Sequence, residues 1–280
     1  MPGTISLTTA MNEFDDMVQE ELMNSQKLAG TCREYDTEGQ NFNVPFFDQL
    51  ALEQAAFDAG DIPIKDVTQR NVQIVQGNHR LKTTIGYAYE TLFNYDVVMG
   101  HVRQHAAAIG RFNDKLKLDA IVAADASFTA GNNNLIAAGT LLVTNLIDAK
   151  YRLIDNGADP DELSMYTSAK NMKSFFNDSD FKSWDQNSNR PLMKGSIGFF
   201  GGVDIRVLGS ASAANTLPGG ATTPSNYVVE KDSLAVAYNR RPVSKVIVEE
   251  SEDRVSVLTT ATAGSAVLRV KGICKLTTTL

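Results

Sequence analysis

At 280 residues and 43% hydrophobic, the chain is long enough for one large domain or two modest ones and can bury a sizeable core, which excludes a disordered or fibrous protein. Its net charge of −7, with Lys and Arg spread along the chain, leaves no basic face of the kind that reads nucleic-acid sequence against phosphates. Two distant cysteines, Cys32 and Cys274, behind a polar start that lacks leader blocks, point to reduced thiols in a cytosolic setting, and no stretch reads as a membrane span.

Residues 11 to 29 read as a helix: Phe14, Val18 and Leu22 recur at four-residue steps, and Glu13, Asp15, Asp16, Glu20 and Glu21 crowd the polar side. Gly30 stops it. So narrow an apolar stripe is marginal alone, so the helix either docks on another surface or is an ordinary surface helix of its own chain. Residues 39 to 90 look extended, with alternation at Phe42, Val44 and Phe46, at Val72 and Ile74, and most strictly from Leu81 through Thr83, Ile85, Tyr87 and Tyr89. Gly77-Asn78 signals a tight turn between two strands, and Asp58, Gly60, Asp61 and Pro63 a wider one further out. This excursion is thinly covered by apolar residues, so its ordering must be supported by the body of the domain or by a neighbouring subunit.

Residues 95 to 126 carry the longest unbroken helical periodicity, with Val98, Val102, Ile109, Phe112 and Leu116 on one face and Arg103, Gln104, Arg111, Asp114 and Lys115 between them. Such a helix is roughly 48 Å long and needs a large partner layer. Residues 135 to 156 predict another helix, with Leu142, Leu146, Ala149 and Leu153 on one face and Gly157 as its stop. Leu163 to Tyr166 is strand-like, 168 to 178 helical, and 197 to 200 with 203 to 207 a hairpin about Gly201-Gly202. Residues 209 to 226 form an exposed loop. Strands are expected at 227 to 238, 245 to 249, 254 to 258 and 266 to 276.

The residues offer no clear reactive constellation. His101 and His105 share a helix face, but Val102 stands where a zinc hydrolase needs glutamate, and no acidic third ligand lies near. Gly195, Gly198, Gly201 and Gly202 do not match a dinucleotide fingerprint and read as turn glycines. Asp15-Asp16 and Glu249-Glu250 read as solvated faces, because neighbours in a helix or strand point apart. No catalytic residue, cofactor or metal is expected.

The order of parts resembles the major capsid protein of tailed double-stranded DNA phages, the Hong Kong 97 fold, and more loosely the encapsulin shells that share it. Leu81-Lys82-Thr83-Thr84-Ile85-Gly86-Tyr87 followed by Asn94-Tyr95-Asp96 looks like that family's strand entering its long helix. Leu118-Asp119-Ala120-Ile121-Val122 is similar to the helix end, and Gly195 to Ile205 resembles the hairpin leading to a central strand. Leu234-Ala235-Val236-Ala237 and Val267-Leu268-Arg269-Val270 look like the last central segment and the closing strand.

The resemblance implies an α+β fold with an N-terminal arm at 1–38, an extended loop at 39–84, a peripheral domain with the spine helix at 85–128 and 264–280, and an axial domain at 129–263. It implies a virion shell of pentamers and hexamers assembled in host cytoplasm, with a separate scaffolding protein, a portal, decoration proteins and loose contact with packaged double-stranded DNA. Inter-subunit contacts would fall on Phe14, Val18 and Leu22 of the arm and on Phe57, Asp61, Ile62, Pro63, Ile64 and Lys65 of the loop. The outer loop offers only Lys65 for the lysine-to-asparagine bond of some members, and no partner can be matched, so that link is not carried over. The rival readings are an encapsulin-like compartment and, from another class, a soluble α/β enzyme or ligand-binding protein.

Overall fold

The computed structural model describes residues 26–47, 69–86, 96–180, 198–208, 217, 225–249 and 254–278. In chain order the strands described are β1 (Arg33–Asp36), β2 (Asn41–Phe47), β3 (Gln69–Val75), β4 (Gly77–Gly86), β5 (Leu135–Gly139), β6 (Leu163–Ser168), β7 (Phe199–Phe200), β8 (Val203–Leu208), β9 (Ser225–Glu230), β10 (Leu234–Glu249), β11 (Arg254–Val267) and β12 (Ile273–Thr278). The helices are α1 (Asp96–Ala123), α2 (Val143–Asp155) and α3 (Ala169–Asn177).

One half is a four-stranded sheet, ordered β1-β10-β11-β4, against which α1 lies. Its backbone is the long antiparallel hairpin of β10 and β11, whose register shifts on either side of Arg240. Pro242 falls inside that irregular stretch, where a missing ladder donor is tolerated. Alternation sorts the β10 side chains: Leu234, Val236 and Tyr238 join Leu116, Leu118 and Ile121 of α1, while Ala235 and Ala237 turn to the other face. There the antiparallel pair β2 and β3 lies, with Val44 and Ile74 packed on the two alanines and Leu268.

The other half is a six-stranded sheet ordered β5-β12-β9-β6-β8-β7, with α2 and α3 on one face. Leu146, Ala149 and Leu153 of α2 and Phe175 of α3 bury against Leu163, Met165, Val203, Ile205 and Leu276. The opposite face presents Tyr166, Tyr227 and Val229 to the end of α1 and to the four-stranded sheet, so this second core ties the two halves together. β6 and β9, covered on both faces, are buried at every residue.

Several expected elements divide differently. Leu135–Gly139, expected within a helix, is a strand paired parallel with β12; the helix begins only at Val143, after Gly139 adopts φ +63°. A five-residue apolar run fits either state, and here a distant strand decides. Leu142, expected on the buried face of that helix, is exposed. The single strand expected at 227 to 238 is two, β9 and β10, in different sheets and joined by a 3-10 turn at Lys231–Ser233. The closing strand at 266 to 276 likewise breaks at Val270–Gly272, and β12 pairs with β5 and β9 rather than beside the spine. Gly77-Asn78 makes no hairpin: β3 pairs β2 while β4 pairs β11, so the chain passes from one sheet to the next there. The hairpin about Gly201 and Gly202 is present, both glycines at positive φ as a tight turn between right-twisted strands requires.

Candidate functional site

A buried polar cluster lies where the N-terminal segment enters the body. The backbone amides of Lys27 and Leu28 donate to the Asp114 carboxylate at 3.0 and 2.9 Å, and the Lys117 ammonium donates to the Leu28 carbonyl at 2.5 Å. Both α1 side chains are fully buried, although Asp114 was expected on the solvated face. Residues three apart lie on one side of a helix, so α1 offers an acceptor for one end of residue 28 and a donor for the other. Desolvation pushes the Asp114 carboxyl above its ordinary range, against the opposing pull of the two amides and Lys117.

The next residues bind the other layers. Thr31 donates through Oγ1 to the Leu28 carbonyl at 2.9 Å and accepts from the Tyr166 hydroxyl of the six-stranded sheet at 2.7 Å. β1 then adds to β10 in parallel, from Arg33 opposite Ala235 to Asp36 opposite Tyr238. Arg33 bonds Asp232, and Arg241 bonds Asp36 at 2.8 Å while its guanidinium lies 5.1 Å from the Tyr238 ring. These outer ion pairs are exposed and contribute little each. Ten residues are thus tied to the spine helix and to both sheets, so whatever precedes Lys27 leaves from a fixed point.

The second emergent segment is the β2 and β3 pair. It reaches the body over small residues: Gly264 faces the Val75 backbone with no room for a Cβ, and Ala235, Ala237 and Ala266 surround the contact. At about 3.3 Å per residue its seven-residue strands are roughly 23 Å long, and they pack on this seat through Phe42, Val44, Val72 and Ile74. Small residues alternating with large ones in Leu234-Ala235-Val236-Ala237 were the available sequence signal for a second layer lying close. The Asp114 and Lys117 spacing was the signal for the arm root.

Phe14, Val18, Leu22, Phe57, Asp61, Ile62, Pro63, Ile64 and Lys65 lie outside the described residues. His101 and His105 do not form a shared ligand pair: the two ring nitrogens of His105 hydrogen-bond Thr83 Oγ1 at 2.8 Å and Thr259 Oγ1 at 2.6 Å. His105 therefore pins α1 to β4 and β11. Burial and the neighbouring His101 push its pKa below the ordinary 6.5, so the neutral ring is the folded form. A base with a lowered folded pKa contributes stability that is present above 6.5 and lost as pH falls toward the folded value. The thermal midpoint is accordingly expected to fall on acidification below pH 6.5, and His105→Gln, which keeps a donor and an acceptor, is expected to flatten that slope in a melting series. An unchanged slope would show that His105 is not responsible.

Cys32 and Cys274 are free and sit in separate cores, and burial pushes their thiols up to about 11 and about 12, well away from the reactive thiolate. Among the described residues no helix is long and apolar enough to cross a membrane. Among the described residues, the geometry braces the root of the N-terminal segment on α1 and both sheets and seats the β2 and β3 pair on the four-stranded sheet.

A family model described as phage capsid protein matches residues 7–279. No curated protein matches the chain in sequence. Among solved structures, the Cyanophage Pam1 capsid asymmetric unit is similar with a TM-score of 0.67 at 14% identity, covering 92% of each chain. The capsid of Cyanophage P-SCSP1u gives 0.65 at 12%, covering 89% of this chain and 86% of that one. A virus-like particle from Pyrococcus furiosus gives 0.61 at 11%, covering 95% and 99%.

Proposed function

The chain belongs to the phage capsid protein family, and from that membership we propose that it is the major capsid subunit of a phage head. Many copies, as pentamers and hexamers, close an icosahedral shell around double-stranded DNA. The observation that carries this reading is the family match from residue 7 to residue 279, and the capsid structures alike over about nine-tenths of both chains support the α+β fold of Hong Kong 97 type. Its role is structural rather than enzymatic, and its place is the virion, with assembly in host cytoplasm.

In the shell, the residues before Lys27 act as an arm along a neighbour and the segment that carries β2 and β3 as a loop over the adjacent subunit, which trims the expected 1–38 and 39–84, because β1 and β4 pair within the chain's own four-stranded sheet. The two sheets suggest the division of the body: the four-stranded sheet with α1 as the peripheral domain, the six-stranded sheet with α2 and α3 as the axial one. On that pairing β12 goes with the axial part and the β10–β11 hairpin with the peripheral part, which shifts the boundary drawn at residue 264. Each contact is weak, and closed symmetry repeats it. A separate scaffolding protein, a portal and decoration proteins are the expected partners. The acidic chain holds DNA loosely, without sequence preference.

Phe14→Asp and Ile62→Asp are expected to leave the subunit folded while preventing assembly, since a charge at a buried inter-chain anchor is strongly unfavourable. Sedimentation of each variant beside the parent checks this; an unfolded variant would place the residue in its own core instead. The test of the function itself is the size of the parent chain expressed with its neighbouring genes: particles support it, and a lone subunit or dimer overturns it. The other reading carried by the resemblance, an encapsulin-like compartment filled with protein, is decided by the nucleic-acid content of purified particles.

A further inference from the structure

Beyond the seat of β2 and β3, the face of the four-stranded sheet turned away from α1 is basic. Alternation along β4 sends Thr83 to His105 and His79 to Phe112, both on α1, so Asn78, Arg80 and Lys82 turn the other way. Ser244 likewise meets Thr259 on the α1 side, which turns Lys245 outward. The register then sets Arg80 beside Thr260 and Lys82 beside Leu258 on one flank of β11, with Arg240 beside Thr262 and Lys245 beside Leu258 on the other. Two inter-strand spacings separate β4 from β10, about 10 Å. Between them an open hollow of about 310 Å³ is bordered by Asn78, Arg80, Arg240, Leu258, Thr260 and Thr262. That is room for a polyatomic ion with its waters rather than for one bound water.

The polar groups around the hollow are donors. Thr262 donates to Asn78 Oδ1 at 2.6 Å, which occupies the acceptor end of that amide and leaves its NH2 group, the Thr260 hydroxyl and two guanidiniums facing the space. None of the lining residues is acidic, and neither guanidinium has a carboxylate partner among the described residues. With a net charge of −7 the chain as a whole repels an anion, so the attraction here is local. We propose that this hollow is a binding site for phosphate groups, held by Arg80 and Arg240 from either side of β11, with the Thr260 hydroxyl beneath and the Asn78 amide at one end. A phosphate carries at least three acceptor oxygens in a tetrahedral array and engages both guanidinium forks; the two coplanar oxygens of a carboxylate satisfy one. Lys82 and Lys245, flanking Leu258 one row further along, extend the positive field toward a second phosphate. Free polyphosphate and a nucleic-acid backbone both present this chemistry. The site stands on the register of β4, β10 and β11 and does not depend on the shell reading.

Calorimetric titration of pyrophosphate onto the full-length chain tests this. Saturable binding is expected, weakened roughly tenfold or more by Arg80→Gln or Arg240→Gln, each of which removes one charged fork. Thr260→Val, which keeps the shape and loses the hydroxyl, should weaken it several-fold. Both arginines are exposed, so circular dichroism should show the fold retained. Should either glutamine change disturb the sheet, Arg80→Lys with Arg240→Lys keeps the charge, loses both forks and is expected to weaken binding in the same direction. Arg103→Gln, on the exposed side of α1, is the control and should change nothing. Absence of saturable binding, binding unchanged in a folded Arg80 or Arg240 variant, an equal loss on Arg103→Gln, or sodium acetate competing as well as pyrophosphate overturns the proposal. Fluorescence anisotropy of a labelled short duplex DNA with the same variants separates the two sources. A parallel loss assigns the nucleic-acid backbone, and duplex binding that is absent or unaltered while pyrophosphate binding falls assigns a free phosphate compound; either result upholds the site.

Discussion

Replacing Asp114 with alanine is expected to lower the free energy of unfolding by about 3–5 kcal/mol, the range for removing one partner from a buried charged group. The carboxylate is fully buried, and its loss leaves the amides of Lys27 and Leu28 without their acceptor and the Lys117 ammonium with Glu34, 3.9 Å away, as its one opposite charge among the described residues. Chemical denaturation measures the loss, and hydrogen exchange should find the Lys27 and Leu28 amides opening faster than the rest of α1. The double change Asp114→Leu with Lys117→Met should recover part of the stability, because it also removes the buried ammonium that the single change deprives of Asp114, while the two amides stay exposed to exchange. The pH dependence carries a sign. Burial raises the folded carboxyl pKa, so the fold gains only where that group is protonated; the wild type should improve relative to Asp114→Asn as pH falls from neutral toward the ordinary carboxyl value. A loss below about 1 kcal/mol on Asp114→Ala, the scale of an ordinary surface pair, would mean that the arm root is not held as described.

The second large effect is expected at Gly264. A Cβ there meets the backbone carbonyl of Val75 and closes on the Ile74 side chain, and a backbone cannot swing aside as a flexible side chain can. Gly264→Ala should therefore cost about 3 kcal/mol, the upper end for forcing extra volume into a packed contact, and it should lift the β2 and β3 pair from its seat on Ala235 and Ala237. Melting curves report the cost, and limited proteolysis reports the lifted pair as faster cleavage within residues 41–75 than in the parent. Ala237→Val, on the facing strand in register with Gly264, is expected to act in the same direction with a smaller effect. A fully stable Gly264→Ala protein with unchanged proteolysis would show that the close approach does not hold the segment.

The spine helix was legible because its apolar residues repeat at helical spacing over 28 residues, long enough to rule out competing periods. The hairpin at Gly201-Gly202 was legible because that turn needs positive φ at both central residues and only glycine supplies it cheaply. The strand at Leu135 was not, because its partner Lys275 lies almost at the other end of the chain and five apolar residues carry no period of their own. Nor was the split between β9 and β10: both are apolar on either side of Lys231–Ser233, and only the assignment of the two halves to different sheets separates them. At the arm root, Asp114 and Lys117 look like ordinary polar positions of an amphipathic helix. What buries them is a segment almost ninety residues upstream, which local spacing does not reveal. The residues expected to touch neighbouring chains, from Phe14 to Lys65, lie outside the described residues, so the evidence for them has to come from assembled particles.

Electron microscopy of the purified chain, expressed with its neighbouring genes and negatively stained, tests the central claim most directly. The account predicts closed icosahedral shells or their capsomers, absent when Phe14 or Ile62 is aspartate. A population that stays monomeric or dimeric under every such condition would contradict it.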